Sequence, residues 1–213
     1  MGDGNSRLSR IATSLGLSAA GAAFAQPAVL PGIVVETAAP PAALRRIEIN
    51  TLSGAPLSET PLAARVIDAE DMRNRGVRTL SQAIRGEPSV SDAYNTTGFI
   101  ESLQIRGFRL DSLLNYRRDG LPVSNYAPLA VENLEAIEIV NGPATALGGG
   151  GTPGGLVNYR LKRPTEAPLA MLSAEVAERG TILAQGDFGG RTGGGVFGYR
   201  INVAASDRRP YPD

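Results

Sequence analysis

Apolar and polar residues alternate most cleanly near the C-terminal end. There Phe197, Tyr199, Ile201, Val203 and Ala205 share one face of an extended segment, and Gly198, Arg200, Asn202 and Ala204 share the other. Ile182, Ala184 and Phe188 stand against Gln185 and Asp187 in a looser version of the pattern. A period of two predicts β-strands. It fits a barrel strand between lipid and a wet lumen, and equally a half-buried antiparallel sheet.

The centre of the chain is patterned differently. Leu62–Ile67 reads as a strand, after which Asp68 caps a short helix with Asp71 in its first turn and a stop at Gly76. Thr79 and Gln82 form a capping box for Leu80–Arg85, closed by Gly86 and followed by Pro88. Residues 89–98 are rich in Ser, Asn, Thr and Gly and predict a surface loop carrying Tyr94. Leu103 and Ile105 alternate with Gln104 and Arg106 as a strand that bends at Gly107. Asp119-Gly120 predicts a turn between Leu113–Arg117 and Leu121–Val123. One helical turn at Val131–Leu134 leads into a strand over Ala136–Val140, and Leu156–Leu161 gives another before Lys162-Arg163-Pro164. Short strands interleaved with two short helices predict an α+β domain with a small mixed sheet, not a doubly wound one.

The N-terminal sixty residues are neither. Arg7 and Arg10 precede an apolar run too short to span a bilayer, which ends in an Ala-x-Ala at Ala25. This predicts a secretory signal over residues 1–25. Residues 26–60 carry Pro27, Pro31, Pro40, Pro41 and Pro56 and predict an extended, mobile segment. Its two β-branched runs, Ile33-Val34-Val35 and Ile47-Glu48-Ile49, have the character of strands that add to a partner's sheet edge. Nothing later reads as a transmembrane helix, so any membrane-embedded part must use strands.

Composition narrows the chemistry. The chain has no Cys, His or Trp, so no Ser-His-Asp or Cys-His nucleophile can be built and the usual Zn, Cu and haem ligands are missing. No enzyme activity, cofactor or protein-bound metal is expected. With 26 Gly and 15 Pro but 42% apolar residues, the sequence is turn-rich rather than low-complexity. Its 21 basic residues are balanced by 21 acidic ones, which leaves no basic excess for nucleic acid.

Asn141 to Gly155 is the densest feature. Gly149, Gly151 and Gly154 formally satisfy G-x-G-x-x-G after a strand. A dinucleotide site needs a helix N-terminus next, whereas Pro153 interrupts the loop and a strand follows. No Gly-Lys-Ser/Thr exists either. The segment reads as a tight strand-to-strand crossing whose backbone only glycine permits.

Seven segments in this order resemble the plug of TonB-dependent receptors. They are Val66-Ile67-Asp68, Thr79 to Ile84, Gln104-Ile105-Arg106-Gly107-Phe108, Arg118 to Pro122, Leu134 to Val140, Gly142-Pro143-Ala144-Thr145-Ala146-Leu147, and Gly154-Gly155-Leu156-Val157-Asn158 closing with Lys162-Arg163-Pro164. The Pro-Gly-Gly-Leu-Val-Asn and Lys-Arg-Pro ending resembles the ferric-siderophore branch. Two departures stand out: Asn141 where the family carries Arg or Lys before Gly-Pro, and Gly148 where it carries an aromatic. Both predict weaker packing or pairing of that loop.

The resemblance implies the organisation and the partners. Residues 1–25 would be the signal, 26–60 the TonB-box and Pro-rich segment, 61–164 the plug with its small mixed four-stranded sheet and short helices, and 165–213 the first antiparallel strands of an incomplete transmembrane β-barrel. An unclosed set of strands leaves open edges that hydrocarbon does not tolerate, so a fragment or a truncated gene product, unable to transport alone, is expected. The family sits in the outer membrane of Gram-negative bacteria, reached through the periplasm. It takes up ferric siderophores with TonB and its inner-membrane energy-coupling proteins, and iron enters only as a chelate. Cobalamin or carbohydrate uptake, and a standalone periplasmic plug-like binding protein, stay open as alternatives. The implied TonB box is Ile33, Val34, Val35, Glu36 and Thr37, with Ile47-Glu48-Ile49 as runner-up. Ligand contacts on apical loops are expected from Tyr94, Asn95, Arg109, Asn125 and Tyr126, since Tyr and Arg suit an aromatic-rich anionic chelate. Arg106, Glu135 and Glu138 resemble plug charges that pair with the barrel wall. With Gly107, Gly142, Pro143, Gly154 and Gly155 they are expected to be structural.

Overall fold

The computed structural model describes residues 46–49, 55–59, 61–96, 99–127, 129–143, 150–177 and 181–207. The expected signal, the segment Ile33–Thr37 and Gly148 lie outside the described residues.

Strand β1 (Arg46–Ile47) pairs antiparallel with β2 (Ala55–Pro56). Strand β3 (Ala63–Asp68) runs into helices α1 (Ala69–Asn74) and α2 (Leu80–Ala83). Next come β4 (Val90–Thr96), β5 (Ile100–Ile105) and β6 (Phe108–Arg109), a three-stranded antiparallel sheet. Then β7 (Tyr116–Arg118), β8 (Leu121–Pro122), β9 (Leu134–Asn141) and β10 (Gly155–Leu161) join β3 in a five-stranded sheet of order β3-β9-β10-β7-β8. Only β7 and β10 pair in parallel, so the sheet is mixed as expected, with a two-residue edge strand beyond the four anticipated. Last, β11 (Leu169–Ala177), β12 (Thr181–Arg191) and β13 (Gly198–Asp207) form a separate antiparallel sheet. Among the described residues no helix is long and apolar enough to cross a membrane.

Local chemistry explains the helix starts. Asp68 Oδ1 accepts the Asp71 N–H at 2.8 Å, and Thr79 Oγ1 accepts the Gln82 N–H at 3.2 Å, each satisfying a donor that the first turn leaves free. The return bond of a capping box slips by one residue, because Gln82 Oε1 takes the Arg78 N–H at 2.8 Å.

Strand β9 reads almost continuously apolar because both of its faces are covered. Ile137 and Ile139 point into the main core with Ile67, Met72, Leu103, Ile105, Tyr116 and Val157. Val140 points the other way, beneath Ile47 and Ile49, in a second cluster with Leu156. Ile47 and Ile49 are fully buried, each worth about 1.5–3 kcal/mol of burial. This part of the proline-rich region is therefore docked as a strap, not extended in solvent, and the Glu48 N–H between the two isoleucines is taken by Glu138.

Residues 90–96 also depart from the expected loop. They form β4, which pairs with β5 from Val90↔Ile105 to Thr96↔Ile100 around a bulge between Asp92 and Tyr94. Val90 is buried while Ser91 to Asn95 are exposed, so the polar side chains face solvent as the backbone completes a ladder. Side-chain polarity reported exposure there and carried no information about pairing.

In the last sheet, Leu172, Val176, Ile182, Tyr199, Ile201 and Val203 are all exposed on one face. The opposite face turns Met171, Glu175, Leu183, Asp187, Arg200 and Asn202 towards the five-stranded sheet and α1.

Candidate functional site

The topology gathers three loops at one end of the five-stranded sheet. Strand β9 leaves at Asn141 and β10 enters opposite it at Gly155, with the Gly142 N–H bonded to the Gly154 carbonyl at 2.9 Å. Because β7 runs parallel to β10 in the register Tyr116↔Val157, the segment 111–115 arrives at that same end. The chain then turns at Asp119 (φ 48°) and Gly120 (φ 82°) at the far end and comes back. Val123 N–H bonds Tyr116 O at 3.0 Å, and Asn125 N–H bonds Ser112 O at 3.1 Å, which places 123–126 beside 111–115.

These loops expose bulky side chains. Leu113 and Leu114 are 58% and 47% exposed, and Tyr126 is 53% exposed. Together they form an apolar rim on loops carried by the sheet, the kind of place where binding residues concentrate.

The expected ligand residues are placed unevenly. Tyr126 is exposed on the convergent loops. Asn125, its neighbour, is buried, and its Nδ2 donates to the Glu101 carbonyl at 3.1 Å, a bond that anchors the loop. Arg109 is exposed on β6. Tyr94 and Asn95 are exposed on β4, where the Asn95 amide donates to Ser81 Oγ at 2.5 Å, towards α2. The structure thus joins Tyr126 to Leu113 and Leu114, which sequence reasoning missed. The sequence offered Leu113–Arg117 only as one arm of the Asp119-Gly120 turn, and no local signal marked Leu113 and Leu114 as part of a loop.

Arg106 (φ 52°) and Gly107 (φ 82°) make the tight turn from β5 to β6, with the Arg106 side chain exposed. Gly142 has φ 118°, Pro143 is exposed, and Gly154 and Gly155 are buried. Gly155 has φ 149°, and a Cβ there would run into the Val140 carbonyl. Only glycine fits this close crossing of β9 and β10. Asn141 donates to Ser89 Oγ at 3.1 Å, so the departure at that position carries a local bond of its own.

A second feature lies on the strap face. Glu138 has no exposed surface. Its Oε1 accepts the Glu48 N–H at 2.9 Å, its Oε2 accepts the Asn158 amide at 2.9 Å, and Arg160 Nη1 lies 3.4 Å away. Those partners all lie within residues 46–161, not on β11–β13 where the barrel wall was expected to supply them. Burial pushes the Glu138 carboxyl above its ordinary value, and the three partners pull it back down in part. Glu135, by contrast, is exposed.

The third feature is the seam between the five-stranded sheet and the last sheet. Lys162 Nζ meets Asp187 Oδ2 at 2.8 Å and Asn202 Oδ1 at 3.2 Å, and Arg200 holds the same carboxylate at 2.5 and 2.8 Å. Arg78 pairs with Glu175 at 2.5 Å. Between these contacts lies a cavity of about 430 Å³, lined by Met72, Val77, Leu134, Met171 and Leu183 among others.

Comparison with known proteins gives a consistent picture. Residues 56–156 match the family model described as TonB-dependent Receptor Plug Domain. The chain is 30% identical over 203 residues to the ferrichrome outer membrane transporter/phage receptor of Escherichia coli, covering 85% of this chain and 27% of that protein. It is 35% identical over 125 residues to the ferric enterobactin receptor PirA of Pseudomonas aeruginosa, covering 47% of this chain and 16% of PirA. In structure it resembles the pyoverdine outer membrane receptor FpvA of Pseudomonas aeruginosa, with a TM-score of 0.70 at 20% identity over 81% of this chain and 26% of that one. BauA, the ferric preacinetobactin receptor of Acinetobacter baumannii, gives 0.68 at 22% identity over 76% of this chain and 25% of that one. The chain spans about a quarter of the length of the ferrichrome transporter.

Proposed function

Residues 56–156 belong to the plug family of TonB-dependent receptors, and from that premise we propose that the chain is the plug and first barrel strands of an outer-membrane receptor for ferric siderophores. The observation that carries this reading is the way one domain joins the next. The plug sheet ends at Leu161, Lys162 locks onto Asp187, and three antiparallel strands follow with an apolar outer face and a polar inner one. That alternation is what a strand between lipid and a plugged lumen requires. The similarity to proteins named for ferrichrome, enterobactin and pyoverdine supports a siderophore as cargo.

In this reading the ferric chelate rests on the convergent loops, with Tyr126 and the Leu113–Leu114 pair as its floor and Arg109 as a charged contact. Tyrosine and arginine suit a flat, anionic, aromatic-bearing chelate. TonB pairs with Ile33–Thr37 as an added strand and pulls on the N-terminus. The receptor does no chemistry on its cargo.

The test is binding to outer membranes of the source bacterium. Iron-55 ferrichrome and ferrioxamine B should bind saturably, and Tyr126→Ala should weaken binding by about tenfold, the loss of one stacked aromatic. Equal binding to membranes from cells lacking the gene would sink the siderophore assignment.

A further inference from the structure

Leu113 and Leu114 ride on a loop with no regular structure, while the glycine loop beside them joins two different strands. Something must hold the two in one arrangement, or an apolar rim there could not stay fixed. Asn115 is fully buried at their junction. Its Nδ2 donates to the Thr152 carbonyl at 3.2 Å and to the Gly155 carbonyl at 2.5 Å. Its Oδ1 accepts the Thr152 N–H at 3.0 Å and, in its own loop, the Asp111 N–H at 3.0 Å. The backbone of the same residue is engaged as well. Its N–H bonds Asp111 O at 3.1 Å, and its carbonyl accepts the Val157 N–H at 2.9 Å.

The loop in turn holds the leucines. Asp111 Oδ1 accepts the N–H groups of Leu113 and Leu114 at 2.9 and 3.0 Å. On the other side the glycine loop is shaped to the amide: a Cβ on Gly151 would lie 2.9 Å from Asn115 Nδ2, and a Cβ on Gly150 would lie 3.4 Å from Leu114 Cδ1. One side chain therefore uses both donor protons on one loop and divides its acceptor between the two. Asn is the residue type whose amide presents donors and an acceptor in one plane at this short reach.

We propose that Asn115 is a positioning residue that clasps the 111–115 loop to the glycine loop, so that Leu113, Leu114 and the 150–155 segment act as one rigid ligand-facing surface. Asn115 touches no ligand itself. It acts by removing the freedom that a ligand would otherwise have to freeze on binding. The ligand half of this inference rests on the siderophore reading given above; the clasp does not.

The test has two arms. In the first, hydrogen exchange is followed on the full chain in detergent micelles, comparing wild type with Asn115→Asp. The new carboxylate turns an acceptor towards the Gly155 and Thr152 carbonyls. Exchange of Thr152, Leu113 and Leu114 should rise together by about tenfold, while β3 and β9 amides keep their protection, since the loss is local. Gly151→Ala keeps Asn115 but pushes a methyl into its amide, and it should give the same joint loosening if Asn115→Asp does not fold. Loosening of one loop alone in the folded variant overturns the clasp. In the second arm, iron-55 ferrichrome and ferrioxamine B are titrated onto outer membranes of the source bacterium carrying each variant. A Kd raised about tenfold with unchanged receptor abundance supports the positioning role, and joint loosening at an unchanged Kd overturns it. If wild type binds neither chelate, the siderophore reading fails and the exchange arm alone decides the clasp.

Discussion

Glu138 Oε1 accepts the backbone N–H of Glu48 at 2.9 Å, so a carboxylate with no exposed surface holds the N-terminal strap against the plug sheet. Arg160 ties the same strap from the other side, reaching the Arg46 carbonyl at 3.4 Å and the Glu48 carboxylate at 3.7 Å. Glu138→Ala should leave the Asn158 amide and the Glu48 N–H without their acceptor and take one of three from Arg160. A loss of about 3–5 kcal/mol is expected in urea unfolding, the cost of breaking a buried, hydrogen-bonded charge by removing one partner.

The same group gives a pH dependence of definite sign. Its folded value is raised by burial, so the folded state holds the proton more tightly than the unfolded one. That contribution is complete below the ordinary glutamate value of 4.5 and is lost as pH rises through the folded value. Stability of wild type relative to Glu138→Gln should therefore decline as pH is raised from 4 into that window. A difference that stays flat, or grows with pH, would show that the strap carboxyl is not held this way.

Gly155→Ala should be severely destabilising, because the methyl meets the Val140 carbonyl at a backbone φ of 149°. About 3 kcal/mol or more is expected, combining strain with a forced separation of β9 and β10. Gly193→Ala is the control: it lies beyond β12, where a Cβ would meet nothing within 4 Å, and should change stability by less than about 0.5 kcal/mol. Thermal melts of the two variants compare them directly.

Asp187 serves two cations at once, Lys162 from the plug and Arg200 from β13. Asp187→Ala should strand both at an interface where they are largely buried, and it should speed proteolytic cleavage between Leu161 and Leu169. The double variant Asp187→Ala/Lys162→Ala should recover part of the loss, since these contacting residues are not additive. Full additivity would mean that Lys162 and Asp187 do not couple.

Much of this was legible in the sequence, and for identifiable reasons. Caps at Asp68 and Thr79 were readable because their chemistry is local, acting over three residues. Strands β9, β10 and β13 were readable from period and run length. Strand β4 was not, because pairing is non-local: its polar run gave no sign that β5 offered it an edge. Ile47 and Ile49 looked like part of a linker, since the prolines around them reported backbone restriction while their burial depends on Val140 and Leu156 some ninety residues on. The burial of Asn125 was hidden for a related reason. A polar residue next to an exposed tyrosine looks exposed, and only the fold turns its amide inward to Glu101. Asn115 was missed because its partners sit about forty residues away.

The central claim is that this chain is the plug of a TonB-dependent siderophore receptor, and energised uptake tests it most directly. Iron-55 ferrichrome and ferrioxamine B uptake should be measured in the source bacterium with codons 33–37 of the gene deleted. Uptake through this receptor should fall to the level of a TonB-deficient strain while binding at the cell surface is retained. Uptake that continues unchanged without Ile33–Thr37, or that proceeds without TonB, would contradict the account.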